Sequence, residues 1–341
     1  MQDLTLIGLD LGEHSFHVHG QDRNGKALLR KKFSRKQLIE FFATFHACTV
    51  VMEACAGAHH MARLLAGDSH QVKLISPQFV RPFVKSNKND YIDAEAICEA
   101  ACRPSMRFVT PKTASQQCLS ALHRVRESLV RERVKASNQI HGFLLEFGIS
   151  LPVGHTVIRR LPYVLAEQAL PARLVALLER LHGHYKYLDE QIADIEKELA
   201  RQLQDDDLGQ RLLSIPGVGP ITASVLAAQV GDGKQYRRGR DFAASIGLVP
   251  RQYSTGGKNN LLGISKRGDK NIRRLLVQCA RAYMQRLEHQ TDRLAQWVRS
   301  MLTRRHSNVV ACALANKLAR TAWAIAAHHT QFERQGAVMV A

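Results

Sequence analysis

Over the first hundred residues of this chain, short apolar runs are interspersed with stretches whose apolar positions recur at helical spacing. The runs predict strands at 4–11, 15–21, 27–33, 49–53 and 72–75, and the turn Asp22-Arg23-Asn24-Gly25 suits a hairpin between the second and third. The helical period predicts helices at 35–46 (Leu38, Ile39, Phe42 and Phe45 on one face), 57–67, 77–86 and 91–102. A longer helix is predicted over 113–147, ending at a loop with Pro152 and Gly154. Next, Leu174, Leu178, Leu181, Tyr185, Leu188, Ile192, Ile195 and Leu199 follow one another in alternating steps of four and three. That is the seam of a helix that pairs as a coiled coil, either with the 113–147 helix in an antiparallel hairpin or with another subunit. Asp205-Asp206-Asp207 breaks the pattern. A helix follows from about Asn271 through Arg281, and an Ala-rich helix spans 307–328.

Three strands, a helix, a strand, a helix, a strand and further helices is the order of an RNase H-like, RuvC-like domain. The expected fold class is therefore α/β plus α. An α/β domain occupies 1–108, a helical coiled-coil segment 109–204, and a mainly helical domain 205–341. In the last, Leu213-Ser214-Ile215-Pro216-Gly217-Val218-Gly219-Pro220-Ile221-Thr222-Ala223 reads as a helix-hairpin-helix turn. There Gly217 and Gly219 would let backbone amides approach a phosphate; a ligand-free tight turn between helices would carry the same glycines.

Composition narrows the function. With 48 Lys+Arg against 30 Asp+Glu among 341 residues, the formal charge is +18 and the pI about 9.9. Such a chain favours a polyanion, most commonly nucleic acid. Seven cysteines (48, 55, 98, 102, 118, 279, 312) form no Cys-x-x-Cys pair, so they read as free thiols of a reducing compartment. No apolar run reads as a membrane span and no signal-peptide pattern opens the chain, which points to a cytoplasmic, nucleoid-associated bacterial protein without a membrane partner.

The candidate chemistry lies in four carboxylates. Asp10 ends the strand pattern Leu4–Leu9, Glu53 ends 49–52, and Asp90 and Asp93 lie three apart at the start of a helix. Strand ends and a helix start can gather acidic groups that are distant in sequence. Their mutual repulsion is offset by a hard divalent cation, Mg²⁺ or Mn²⁺, and such a site in a basic chain points to phosphodiester cleavage. Taken singly, each acid could be a cap or a surface charge, as Asp90 could be an N-cap.

Two basic regions would meet the nucleic acid. The first is a helical face with His123, Arg124, Arg126, Arg131, Arg133 and Lys135. The second spans 233–281, where twelve Lys and Arg stand against Asp241 and Asp269, a net charge of +10. Arg251, Lys258, Lys266, Arg267, Arg273 and Arg274 belong to it. It encloses Tyr253-Ser254-Thr255-Gly256-Gly257-Lys258, a hydroxyl-bearing loop among cations. A hydroxyl in that field could attack phosphorus; Ser254 and Thr255 could equally hydrogen-bond a phosphate or cap a turn.

Several segments together resemble a known family. They are Ile7-Gly8-Leu9-Asp10, Met52-Glu53-Ala54-Cys55, Asn87-Lys88-Asn89-Asp90-Tyr91-Ile92-Asp93-Ala94, Ile215–Gly219, Gly247-Leu248-Val249-Pro250-Arg251-Gln252-Tyr253-Ser254-Thr255-Gly256-Gly257-Lys258 and Gly263-Ile264-Ser265-Lys266-Arg267-Gly268. In this order the chain resembles the insertion-sequence transposases with a DEDD catalytic domain, family one-ten and its eleven-eleven branch. The resemblance implies a RuvC-like domain, a coiled coil and a C-terminal transposase domain. It also implies DNA recombination through a covalent serine–phosphate intermediate, with Mg²⁺ on Asp10, Glu53, Asp90 and Asp93. It further implies a structured guide RNA, a dimer or dimer of dimers, and an acidic site of one subunit that meets the hydroxyl loop of another. In family members whose serine directly precedes glycine, the nucleophile aligns with Thr255; Ser254 lies one position earlier and is the less crowded hydroxyl. Two alternatives stand beside this reading. A RuvC-like junction nuclease using water leaves the Ser-Thr-Gly-Gly loop without a task, and a non-catalytic nucleic-acid scaffold gains nothing from clustered acids near phosphate.

Overall fold

A computed structural model describes residues 4–85, 87, 89–152, 154 and 158–333. The chain divides into two compact units, Met1–Gln117 and Cys118–Ala341.

In the first unit, the apolar runs become β1 (Leu6–Leu11), β2 (Ser15–Gln21), β3 (Ala27–Ser34), β4 (Thr49–Glu53) and β5 (Gln71–Ile75), joined by a short β6 (Phe108–Val109). The sheet order is β3-β2-β1-β4-β5-β6, with β1, β4 and β5 parallel and the others antiparallel to their neighbours. Alternation sorts the strand side chains onto two faces. Ile7, Leu9, Phe16, Val50, Met52 and Leu74 pack with Leu38 and Phe42 of α1 (Arg35–Thr44) and with Met61 and Leu65 of α2 (Ala58–Gly67). Val51 and Ile75 pack on the opposite side with Ala96, Ile97 and Ala100 of α4 (Asp90–Ala101). Helix α1 starts at a capping box, in which the Ser34 hydroxyl accepts from the Gln37 amide while the Gln37 side chain accepts from the Ser34 amide.

The helix predicted at 77–86 is shorter than its pattern. It forms as α3 (Pro77–Val80) followed by a 3₁₀ turn at Arg81–Phe83, because Pro82 removes an amide donor. Residue 86 lies outside the described residues, as does Lys88 of the family-like segment. Strand β6, two residues long, escaped prediction because two positions carry no period.

In the second unit the seam residues fall on one long helix. Helix α5 (Ala114–Leu145), whose first turn belongs to the first unit, lies antiparallel to α7 (Ala172–Gln204). Arg126 pairs with Glu196 at 2.8 Å and Arg133 with Asp189 at 2.5 Å, so a step forward on one helix is a step back on the other. Leu178, Tyr185, Leu188, Ile192 and Leu199 of the seam are buried. Ala136, Ile140 and Leu144 of α5 pack with Leu178, Tyr185 and Leu161 of α6 (Leu161–Glu167). Each buried leucine contributes roughly 2 kcal/mol.

A second core gathers α8 (Asp207–Leu212), α9 (Pro220–Val230), α10 (Gly239–Ser245), α11 (Lys270–Gln285), α12 (Arg293–Leu302) and α13 (Ser307–His328). Helix α13 departs from the expectation that no segment suits a bilayer. Its 22 residues pass by length and apolarity, with a mean hydropathy of 1.2 over the most apolar stretch. Half of that stretch is buried: Leu314, Leu318, Ala322 and Ile325 belong to the core, and Lys317 and Arg320 interrupt the apolar surface. All seven cysteines are free, and burial pushes the Cys98 thiol up to about 12 and Cys48 to about 11, as inert core thiols.

Candidate active site

The acidic site is built by three elements of the first unit. Asp10 sits near the end of β1, Glu53 closes the parallel strand β4, and Asp90 and Asp93 occupy the first turn of α4. The N-cap is Asn89, whose side chain accepts from the Tyr91 amide at 3.0 Å, which frees Asp90 from the capping role. Asp90 and Asp93, three residues apart, share a helix face, and the positive end of α4 favours both carboxylates.

What lets α4 reach Asp10 is Gly8. A β-carbon there would lie 2.3 Å from the carbonyl oxygen of Ala94 and 2.9 Å from Cys98 Sγ, so only glycine admits the helix this close to β1. The result is a cluster in which one ligand oxygen each from Asp10, Asp90 and Asp93 lies within 4.8 Å of the others. Glu53 stands outside that group of three. Its carboxyl is pushed above the usual range, first by burial and then by the charge of Asp93, which places it within electrostatic reach. Hard oxygen donors at this spacing, with repulsion left to relieve, fit a divalent cation such as Mg²⁺ or Mn²⁺ and offer nothing to a soft one.

Sequence reasoning missed His17. On β2 it is the direct cross-strand partner of Asp10, it is buried, and its Nδ1 lies 3.6 Å from an Asp90 oxygen. The Tyr91 ring meets His17 edge-on at 4.7 Å, and the Arg30 guanidinium lies 4.8 Å above Tyr91. A histidine beside an aspartate on the neighbouring strand has no sequence signature until the hairpin register is fixed.

The hydroxyl segment belongs to the second unit. The expected loop is a β-hairpin arm, with β7 (Pro250–Gln252) paired to β8 (Leu261–Ile264) and a bridge between Thr255 and Lys258 at its tip. Gly256 and Gly257, with φ of +54° and +76°, make the two-residue turn that matches strand twist. That Gly-Gly pair was the available signal. Every residue from Pro250 to Gly263 is exposed. Ser254, opposite Asn259, is held from several sides. Its oxygen accepts from Gln252 Nε2 at 2.8 Å and from the Asn260 amide at 3.3 Å, and its hydroxyl donates to Asn259 Oδ1 at 3.4 Å.

The basic residues divide. Arg124, Arg131, Arg251, Lys258, Lys266 and Arg267 are exposed, Arg131 paired with Glu127 one turn away. Arg126 and Arg133 turn into the helical hairpin, where Arg133 joins Arg159 on Asp189, and Arg159 first and Arg133 next hold that carboxyl below its usual range. Arg273 donates to the carbonyls of Ile246 and Arg267 at the base of the arm, and Arg274 reaches Asn271 and Glu127. His123, read as part of a basic face, is buried and shares a 3.0 Å hydrogen bond with Ser224 of α9; burial first and Arg126 second lower it to about 4. Gly217 turns against α11, where a β-carbon would sit 2.6 Å from the Cys279 carbonyl, whereas Gly219, the N-cap of α9, has open space.

Known proteins match the segments that carry both sets of residues. A DEDD transposase profile of IS110 elements matches residues 7–149, and a profile described as the transposase IS116/IS110/IS902 family matches 209–296. The chain is 67% identical to the transposase for insertion sequence element IS1328 of Yersinia enterocolitica, across 98% of this chain and 100% of that protein. It is 42% identical to the transposase for insertion sequence element IS1111A of Coxiella burnetii, across 95% of this chain and 90% of the relative. The chain belongs to the IS116/IS110/IS902 family of transposases, enzymes of insertion sequences that cut and transfer DNA.

Proposed function

We propose that this transposase breaks DNA by direct attack of a hydroxyl on its hairpin arm, with Mg²⁺ or Mn²⁺ held by Asp10, Glu53, Asp90 and Asp93. The observation that carries the reading is the convergence of Asp10, Asp90 and Asp93 within 4.8 Å in a chain of net charge +18. Bound there, the cation would supply Lewis-acid polarisation of the phosphate and neutralise the departing oxygen. Asp10 and the two α4 carboxylates would hold it, and Glu53, pushed up first by burial and then by the charge of Asp93, would gain from the added positive charge.

Ser254 is the preferred nucleophile. Its oxygen accepts two N–H bonds, which favour the alkoxide. In the first step the Ser254 oxygen bonds to phosphorus, the bond to the 3′ oxygen breaks, the hydroxyl proton passes to water, and the 3′ oxygen leaves with a proton. A 3′ hydroxyl of the recipient strand then displaces serine and reseals the backbone. Thr255 is the second reading, favoured by its place at the tip directly before Gly256. Exposed Arg251, Lys258, Lys266 and Arg267 surround the arm with charge for the attacked phosphate.

The chain acts in the bacterial cytoplasm on the element's ends and target, as a homo-oligomer guided by a structured RNA. The family resemblance supports that part of the proposal. The deciding experiment mixes protein, element-derived RNA, Mg²⁺ and element-end DNA, denatures the mixture and maps adducts by peptide mass spectrometry. An adduct lost in Ser254→Ala and kept in Thr255→Ala is expected. The reverse pattern moves the attack to Thr255, and cleaved DNA without adduct overturns covalent catalysis in favour of water.

A further inference from the structure

Strand register places cations beside the carboxylates in a way that composition does not reveal. Asp10 pairs with His17, and His17 pairs with Lys32; likewise Gly8 pairs with His19, and His19 with Arg30. Directly paired residues of antiparallel strands share a face, so Asp10, His17 and Lys32 lie in one row across the sheet, with Arg30 in the next. That face is the one α4 covers, through Gly8 and through the contacts of Tyr91 with His17 and Arg30. Strand β3 is the open edge of the sheet, and Arg30 and Lys32 are exposed on it. Two strand spacings put the Lys32 backbone roughly 10 Å from that of Asp10, about three rises of a DNA strand.

We propose that Arg30 and Lys32 form a track that binds the DNA phosphate backbone and leads the strand across the β3 edge onto the acidic site. The proposal rests on the reading that this site cleaves DNA. An acidic cluster repels its own substrate, and cations on the same face offset that repulsion and fix the strand's approach. Lysines on an edge strand also discourage pairing with another sheet, an explanation that treats both faces alike. The neighbours differ, however. Lys31 points to the α1 face and its Nζ lies 5.5 Å from the Phe33 ring, while Lys32 makes no ion pair or ring contact among the described residues.

The test compares adjacent lysines in the full-length protein. Affinity for labelled duplex DNA spanning an element end is measured across a salt series for Lys31→Gln and Lys32→Gln, both in an Asp10→Asn background. Loss of one phosphate contact lowers the salt slope by about 0.9 and affinity by about eightfold at about 0.1 M salt. Lys32→Gln is expected to show both changes, Lys32→Arg to restore them, and Lys31→Gln to show neither. Equal losses at the two lysines, or no loss at Lys32, overturn the track. So does a loss confined to duplex RNA of the same sequence, which would assign the edge to RNA. Asp10→Asn that still cleaves DNA would sink the reading of the site itself, whatever the salt slopes; Asp10→Asn that is silent beside an unaffected Lys32→Gln sinks the track alone.

Discussion

The two candidate centres are built in opposite ways. The carboxylates come from two parallel-paired strands and a helix start spread over 84 positions, Asp10 to Asp93, and they are locked by a buried sheet and a helix pressed onto a glycine. The hydroxyls come from one contiguous hairpin, exposed along its length and fixed by its own turn. Gathering like charges needs a frame that forbids relaxation, and only a core supplies one. A nucleophile that must meet a large substrate needs reach, which a local hairpin supplies without a core.

The contrast is most severely tested by Asp10→Asn. Loss of about 4 kcal/mol of charge stabilisation corresponds to about a thousandfold slower cleavage, while DNA affinity stays within error. Wild-type recombination by this variant would break the comparison. The next largest effect concerns His123, a buried group outside either centre. Its folded pKa of about 4 lies below the ordinary 6.5, so the unfolded chain takes up the proton first. The stability it contributes is complete above pH 6.5 and is lost as pH falls toward 4, by at most about 3 kcal/mol. Acid denaturation of His123→Gln should therefore be flatter in that window; parallel curves would show that His123 does not stay neutral.

Gly8→Ala should destabilise the first unit by about 2 kcal/mol, because the backbone of α4 has to withdraw. Weaker Mn²⁺ binding by calorimetry should accompany the lower melting temperature. A tolerated alanine with wild-type Mn²⁺ affinity would show that α4 docking does not set the carboxylates. The smallest effect is Gly256→Ala at the arm's tip, roughly 1 kcal/mol of local strain. Adduct yield should fall while the melting temperature holds, and a fall in both would mean that the arm is part of a core.

Much of this was legible in the sequence, for physical reasons. The strands and the α7 seam could be read because burial imposes a period, and the convergence of Asp10, Asp90 and Asp93 because they lie at or near a strand's end and in a helix's first turn. His17, Arg30 and Lys32 could not, since their meaning depends on which residue of the neighbouring strand stands opposite. The arm was read as a loop although Gly256-Gly257 is a hairpin signal, because its flanks lack apolar alternation. Arg126 and Arg133 read in the sequence as part of a basic face for nucleic acid; Glu196 and Asp189, seventy and fifty-six positions away, draw them inward.

The pairing of the arm carries one more consequence. Thr255 stands opposite Lys258, Ser254 opposite Asn259, and the Tyr253 amide bonds the Asn260 carbonyl, so cross-strand pairing reaches the tip. Successive strand residues project to opposite sides. Gln252, Ser254 and Asn259 therefore mark one side of the ribbon, and Tyr253, Thr255 and Lys258 the other. The arm behaves as a coin with a hydroxyl on each side, and chemistry reveals which side is up. A DNA adduct on Ser254 turns the amide side chains toward the duplex; an adduct on Thr255 turns Tyr253 and Lys258 toward it.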